Sequence, residues 1–261
     1  MIIGIDHVLI AVEDLDQAVE DYQQLGFRVL RGGQHPGRGT YNALVPLADG
    51  AYLELIGLQN RELAEQRSAH IIEALKRENR LVGFALESND LAADVAAIRA
   101  RGLAIGEPIP GERIRPDGQR AAWHTARVGE SALPFLIQDQ TPRELRVPAA
   151  AEGISRMLGV ADVVFGARDV EAAHAEFAKL LGIEAQDGQF ELARGGIQLE
   201  RNELEDGLLR VVLAADNPGA LAEQWREQGV AFRETVIEGV GLILEPSETA
   251  GAPISIVAQP G

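Results

Sequence analysis

The stretch IDHVLIAVEDLDQAVEDYQQLG, residues 5–26, decides the fold. Its first eight residues form an apolar run that reads as a strand. Asp14 then stands as a helix N-cap, a short polar side chain that accepts bonds from the free N–H groups of the first turn. Gln17 follows it at capping-box spacing. Leu15, Ala18, Val19 and Tyr22 mark an apolar helical stripe. Gly26 suits the left-handed turn after a helix. The same frame returns at Asp90 with Gly102, Asp169 with Gly182 and Asn217 with Gly229. Before these caps stand the apolar runs LVGFALES, ADVVFGAR and LRVVLAAD. Pro218 after Asn217 is the favoured first helical residue. Strand, helix and further strands, four times over, are an internal repeat, and a repeat settles architecture before any single residue does.

The repeat divides the chain. Module one runs from Ile3 to Leu58, with strands IDHVLIAV, FRVLRGG, TYNALVPL and AYLELIGL. The polar stretch NRELAEQRSAHIIEALKRENR predicts a connecting helix. Module two runs from Leu81 to Gln138 and carries the turn-rich hairpin GEPIPGERIRPDGQRAAWHTARV. The stretch TPRELRVPAAAEG reads as a linker. Modules three and four run from Val160 to Arg201 and from Leu209 to Val257. Successive caps lie 76, 79 and 48 residues apart, so module three has lost or shrunk a strand. The unit is βαβββ, and the fold class is α+β with helices on one face of mixed sheets. The expected domains are residues 1–140, modules one and two, and 155–261, modules three and four.

Composition excludes several functions. A chain of 261 residues that is 46% hydrophobic can bury a large core. A net charge of −16 argues against nucleic acid or an anionic membrane as partner. The chain has no cysteine, which removes disulfides, thiol nucleophiles and cysteine-ligated metals. The N-terminal MIIGIDHVLIAV lacks a basic region and a small-residue cleavage site, and it reads as a first strand rather than a signal peptide. No apolar run reaches the ~20 residues of a membrane span. The expected location is the cytoplasm.

The segments IDHVLIAVEDLDQAVEDY, LGFRV and AYLELIGL resemble the vicinal oxygen chelate superfamily of glyoxalases, extradiol dioxygenases and fosfomycin- and bleomycin-resistance proteins. GGQHPGRGTYNALVPL is similar, more narrowly, to the glyoxalase-like domain subgroup. The resemblance is strongest over the first 140 residues and reaches the second half through the repeat. It implies βαβββ modules pairing into two open half-barrel cups. It also implies metal ligands on the first and last strands of modules, pointing into a cup.

His7 and Glu54 match those ligand positions. Strand alternation groups His7 with Ile5, Leu9 and Ala11, and Glu54 with Tyr52 and Ile56. A neutral imidazole with a carboxylate suits Zn, Fe, Mn or Ni; the other reading is a buried His–Glu hydrogen bond. Module two offers Gly83 opposite His7, and Phe135 or Leu136 opposite Glu54, so it supplies no ligand at the usual places. His124 is the off-pattern candidate for a third ligand, against an ordinary strand histidine. Glu54 is also the candidate catalytic carboxylate, since glyoxalase chemistry moves a proton through one. In the loop GGQHPGRGTYN, His35, Arg38, Tyr41 and Asn42 are candidate ligand contacts, with Arg38 suited to a carboxylate or phosphate. Trp123 is a candidate wall of an apolar pocket. His70 and His174 read as surface or packing residues.

The expected function is that of a glyoxalase-like protein acting on a small oxygenated metabolite through a divalent metal in the first cup. The alternatives are a metal-free sequestering protein of the bleomycin-resistance type, and a scaffold. No organic cofactor is expected. The expected partner is a small, anionic molecule; the sequence allows a homodimer but fixes no oligomeric state.

Overall fold

The computed structural model describes residues 1–129, 131–148, 150, 157–235 and 241–259. Module one is β1 (Ile2–Ala11), α1 (Leu15–Gln24), β2 (Leu30–His35), β3 (Thr40–Pro46) and β4 (Tyr52–Leu58). Two short helices follow, α2 (Arg61–Arg67) and α3 (Ala69–Leu75), where a single connecting helix was expected. They break at the buried Ser68, whose hydroxyl donates to the Arg38 carbonyl at 3.0 Å. A side chain that bonds distant backbone competes with helix continuation.

Module two is β5 (Leu81–Ser88), α4 (Leu91–Ala100), β6 (Ile109–Ile114), β7 (Arg120–Ala126) and β8 (Phe135–Asp139). The expected linker contains a one-turn helix, α5 (Arg143–Arg146). Module three is β9 (Met157–Ala167), α6 (Val170–Leu181), β10 (Gln189–Glu191) and β11 (Gly196–Arg201). Its reduction by one strand agrees with the short cap spacing. Module four is β12 (Gly207–Ala215), α7 (Pro218–Gln228), β13 (Phe232–Thr235), β14 (Gly241–Leu244) and β15 (Ile254–Ala258).

The four caps form as the sequence requires. Asp14 accepts from the Asp16 and Gln17 amides, Asp90 from Ala93, Asp169 from Ala172 and Asn217 from Ala220. Gly182 and Gly229 close their helices in the left-handed region, at φ 74° and 76°. The Gln17 side chain donates to Asp21.

Modules one and two make an eight-stranded ring in the order β1-β4-β3-β2-β6-β7-β8-β5. The modules meet along a long antiparallel β1–β5 seam, and the ring closes through one registered pair, Gln34 with Ile114. Modules three and four form a seven-stranded sheet in the order β10-β11-β9-β12-β15-β14-β13. β1 and β9 are central strands, paired on both sides, which explains their near-continuous apolar sequence. The helix-side core is continuous across both halves, from Ile5 and Tyr22 to Phe177 and Trp225. Polar bonds stitch the same boundary. The Trp225 indole donates to the Leu25 carbonyl at 3.1 Å, and the Tyr22 hydroxyl to the Thr249 carbonyl at 3.3 Å. No helix among the described residues is long and apolar enough to cross a membrane.

Candidate functional site

A cavity of ≈ 180 Å³ opens inside the eight-stranded ring. β1 contributes His7 and Leu9; β4 contributes Tyr52, Glu54 and Ile56; β8 contributes Phe135 and Ile137. Alternation holds on β4, where Leu53 and Leu55 turn into the helix-side core. On β1 it is broken. Ile5 pairs with Leu86 and His7 with Ala85, which makes Asp6 the extra residue of a β-bulge. A bulge re-aims side chains, and such features gather beside active sites. Here Ile5 joins Val8 and Ile10 in the helix-side core, which corrects the expectation that it shares a face with His7.

The bulge lets Asp6 hold its neighbour. Asp6 Oδ1 lies 2.6 Å from His7 Nδ1. Arg146 donates to both Asp6 oxygens at 2.7 and 2.9 Å, and Arg143 adds a bond of 2.8 Å. Burial alone would raise the Asp6 carboxyl; the Arg146 guanidinium overrides it and holds the group well below the usual carboxylate range. A carboxylate accepts only, so Nδ1 of His7 carries a proton and Nε2 faces the cavity. The ring is sandwiched, stacking on Tyr52 at 4.6 Å and meeting Phe135 edge-on at 5.6 Å. Tyr52 accepts a bond of 2.9 Å from Arg146, and Asp139 accepts two more from the same guanidinium at 2.5 and 2.9 Å. Arg146 is 1% exposed.

Glu54 is the hub of the cavity floor. Its Oε2 lies 3.4 Å from His7 Nε2, and its Oε1 3.5 Å from His35 Nε2. Asn42 Nδ2 donates to Oε1 at 2.6 Å. Burial pushes the Glu54 carboxyl up, but His7, His35, the Asn42 bond and Arg113 together leave it below its ordinary value. His35 moves down, chiefly through burial, so it is neutral at neutral pH. Its Nδ1 meets the Thr40 hydroxyl at 2.9 Å. An N–H turned toward the Glu54 anion is the favoured tautomer, which makes the Thr40 O–H the donor to Nδ1. Both imidazole–carboxylate distances exceed hydrogen-bond length, leaving these groups free to meet a ligand.

The remaining expected residues divide. Arg38 and Trp123 line the cavity with His7, His35 and Glu54. Asn42 reaches it through Glu54. Tyr41 does not: between inward-facing Thr40 and Asn42 it turns outward, with its ring against Gly57 and the core beside α1. His124 does not either. Trp123 and Thr125 line the cavity, so alternation on β7 places His124 on the opposite face. His70, read as a surface or packing residue, lines the cavity mouth with Arg38 and Arg127. It is exposed there, and partial desolvation with those two guanidiniums moves its pKa down. His174 packs near Phe190. Sequence reasoning missed Asp6, Arg113, Arg127 and Arg146. Tyr52 could have been found, since it shares the Glu54 face; Arg146 lies in a stretch with no strand or helix signal.

The glyoxalase-like domain profile matches residues 5–181 of this chain. The chain belongs to the glyoxalase-like family. Its fold is that of the vicinal oxygen chelate superfamily. No curated protein matches this glyoxalase-like chain in sequence. Among solved structures, it is similar to a hypothetical protein from Staphylococcus aureus, with TM-score 0.71 and 15% identity over 98% of this chain and 100% of that one. A mutant 4-hydroxymandelate synthase from Streptomyces coelicolor superposes with TM-score 0.63 and 12% identity, over 100% and 95% of the two chains. The Mn(II)-bound glyoxalase from Novosphingobium aromaticivorans gives TM-score 0.63 and 13% identity, over 99% and 82%.

The Mn(II)-bound neighbour raises the question of a metal here, and the third ligand expected from the sequence is not brought to the site. His124, the expected third ligand, faces away. Phe135 occupies the module-two position with its ring edge against His7. Among the described residues, no three His, Cys, Asp or Glu side chains are grouped to hold a metal ion. A dication at Glu54 would also face the guanidinium of Arg113, which is 2% exposed and lines the same cavity.

Proposed function

We propose that this glyoxalase-like protein binds a small oxygenated metabolite in the first ring and moves a proton on it without a metal. The observation that supports this is the Asp6–His7–Glu54 line, with Nδ1 of His7 committed to a stable anion and Nε2 aimed at a second one. In its neutral form His7 offers a lone pair at Nε2. It takes a proton from the substrate, and the imidazolium that forms lies between two carboxylates. Glu54 stabilises that charge, because its surroundings make it a poor base. The His35 N–H donates to the oxygen on which negative charge develops. His7 then returns the proton to the adjacent carbon while the substrate's hydroxyl proton passes to the oxygen that carried the charge, so a 2-hydroxycarbonyl compound is isomerised with no net change in atoms or electrons.

A second reading, sequestration without chemistry, is favoured by the strong stabilisation of Glu54 as an anion. One experiment separates the two. Small 2-hydroxycarbonyl compounds are incubated in deuterium oxide with wild-type, His7→Gln and Glu54→Gln proteins, and carbon-bound proton exchange is followed by NMR. Wild-type exchange lost in both variants supports proton transfer. A ligand-induced rise in melting temperature without exchange moves the assignment to sequestration. Exchange that requires added Mn(II) would refute the metal-free reading.

A further inference from the structure

We propose that the mouth of the ring cavity is a carboxylate site, formed by Arg38 and Arg127, for an amphiphilic monocarboxylate whose apolar body lies along the cavity wall. The inference rests on the cavity being a ligand site and names the class of molecule it takes.

Four arginines line the cavity, and one of them, Arg146, is neutralised within the protein, while Arg113 is buried at the floor with its Nε unpartnered. Arg146 is paired with Asp6 and Asp139. Arg113 donates to the Arg146 carbonyl at 2.6 Å and stands near Glu54. Glu112, the other acidic group in the lining, is paired with Arg120 at 2.5 Å. Arg38 and Arg127 have no acidic group within 4.0 Å among the described residues, in a chain of net charge −16. The guanidinium of Arg127 lies over the Phe135 ring at 4.2 Å, which fixes it at the mouth without neutralising it. Both guanidiniums line the solvent-exposed end of the same cavity. Two like charges left together at a cavity mouth repel one another, and a bound anion relieves that repulsion.

The rest of the cavity selects the anion's shape and direction. Leu9, Ile56, Ile71, Phe135 and Ile137 form one apolar cluster, with Trp123 packed against it. The floor holds Glu54, an ionised carboxylate, so a ligand cannot place its own anion there without like-charge repulsion. Its carboxylate therefore goes to the mouth, its hydrocarbon along the wall, and a neutral oxygen to the floor. Carboxylate suits the mouth better than phosphate. A guanidinium fork takes either group bidentately, but a phosphate dianion meets stronger repulsion from the Glu54 anion than a carboxylate does.

Isothermal titration tests this with hexanoate, octanoate and phenylacetate, their amides, and inorganic phosphate. Each is titrated into the wild type, Arg38→Gln, Arg127→Gln, Glu54→Gln and an exposed control, Arg99→Gln. The expected result is that at least one acid binds at least tenfold more tightly than its amide and than phosphate. Arg38→Gln and Arg127→Gln should each lose at least tenfold for that acid, while Arg99→Gln matches the wild type. Glu54→Gln should keep or improve acid binding, since it removes a repelling charge. The proposal is overturned if no acid binds at 10 mM, if acid and amide bind alike, if phosphate binds best, or if neither mouth variant weakens binding. Carboxylate binding without proton exchange would remove the proposed proton transfer and leave this site standing. Exchange without carboxylate selectivity would do the reverse.

Discussion

Replacing Arg146 by Met should destabilise the protein by about 3 kcal/mol at neutral pH, and the loss should shrink as the pH falls. Arg146 makes five hydrogen bonds, two to Asp6, two to Asp139 and one to Tyr52. Breaking a buried ion pair by removing one partner costs about 3–5 kcal/mol, because it strands the other charge. The lower end applies here, since Arg143 still reaches Asp6 at 2.8 Å and Met refills most of the volume. The pH dependence has a definite sign. Asp6 is held below its unfolded value, so its contribution is present above about pH 3.9 and is lost as the pH falls through the still lower folded value. Without Arg146 the carboxyl moves up, and an acidic solution protonates it and relieves the stranded charge. The gap between the proteins should therefore be widest near pH 7 and narrower near pH 4.5. Urea unfolding at both values measures it, and Asp6→Asn in the Arg146→Met background should recover part of the loss. Nitrogen-15 NMR of His7 should show the Nδ1–H tautomer weakened in Arg146→Met. Equal unfolding midpoints at pH 7, or a gap that widens in acid, would refute the account of Asp6 as a buried anion held by Arg146.

Three further outcomes follow from the same geometry. Protein purified without added metal should contain no stoichiometric Mn, Fe, Zn or Ni by elemental analysis; one ion per chain, lost in His7→Ala, would overturn the metal-free site. Asn42→Ala removes the 2.6 Å bond to Glu54 and should cost about 1–3 kcal/mol. Because Glu54 is depressed, the wild type's advantage should be present at neutral pH and fade as the pH falls through the folded value, which carboxylate-resolved infrared titration can follow. Asp162, seven residues before the Asp169 cap as His7 is before Asp14, is raised to about 6, chiefly by burial with Glu191 nearby. An acid raised by folding loses stability as the pH rises, so Asp162→Asn should be more stable than wild type above about pH 6 and no better near pH 4. Thermal melts across that range check it.

The architecture was legible because it is written in local chemistry that repeats. The Asp and Asn caps at 14, 90, 169 and 217 each accept amide bonds where the spacing placed them. The short module three showed in its cap spacing. The site was legible only in part. The structure brings His7, His35, Arg38, Glu54 and Trp123 to one cavity, with Asn42 bonded to Glu54, where strand period and the loop motif pointed. Tyr41 and His124 failed for one reason: each alternates with neighbours that take the inward face. Asp6 was hidden because a bulge changes alternation, and no residue type announces a bulge. Arg146 was hidden because its role depends on where a short helix lands against β7 and β8, a tertiary event with no periodic signal. His70 is exposed, as the surface reading has it, and the break at Ser68 places it at the cavity mouth.

The chain between the two halves has a bearing on how such proteins can be recombined. Glu87 of β5 is bound by Arg194 from the second half, and Arg143 lies 3.6 Å from the same carboxylate. Arg194 also donates to the Ile5 carbonyl, one residue before the bulge. A crossover placed after residue 140 would hand one parent's Asp6 to another parent's arginines. Chimeras joined there would inherit an anion without its counter-charges unless both parents carried matching ones. Grafts that move residues 1–148 as a block should tolerate exchange of the second half far better, provided the newcomer brings a cation to Glu87.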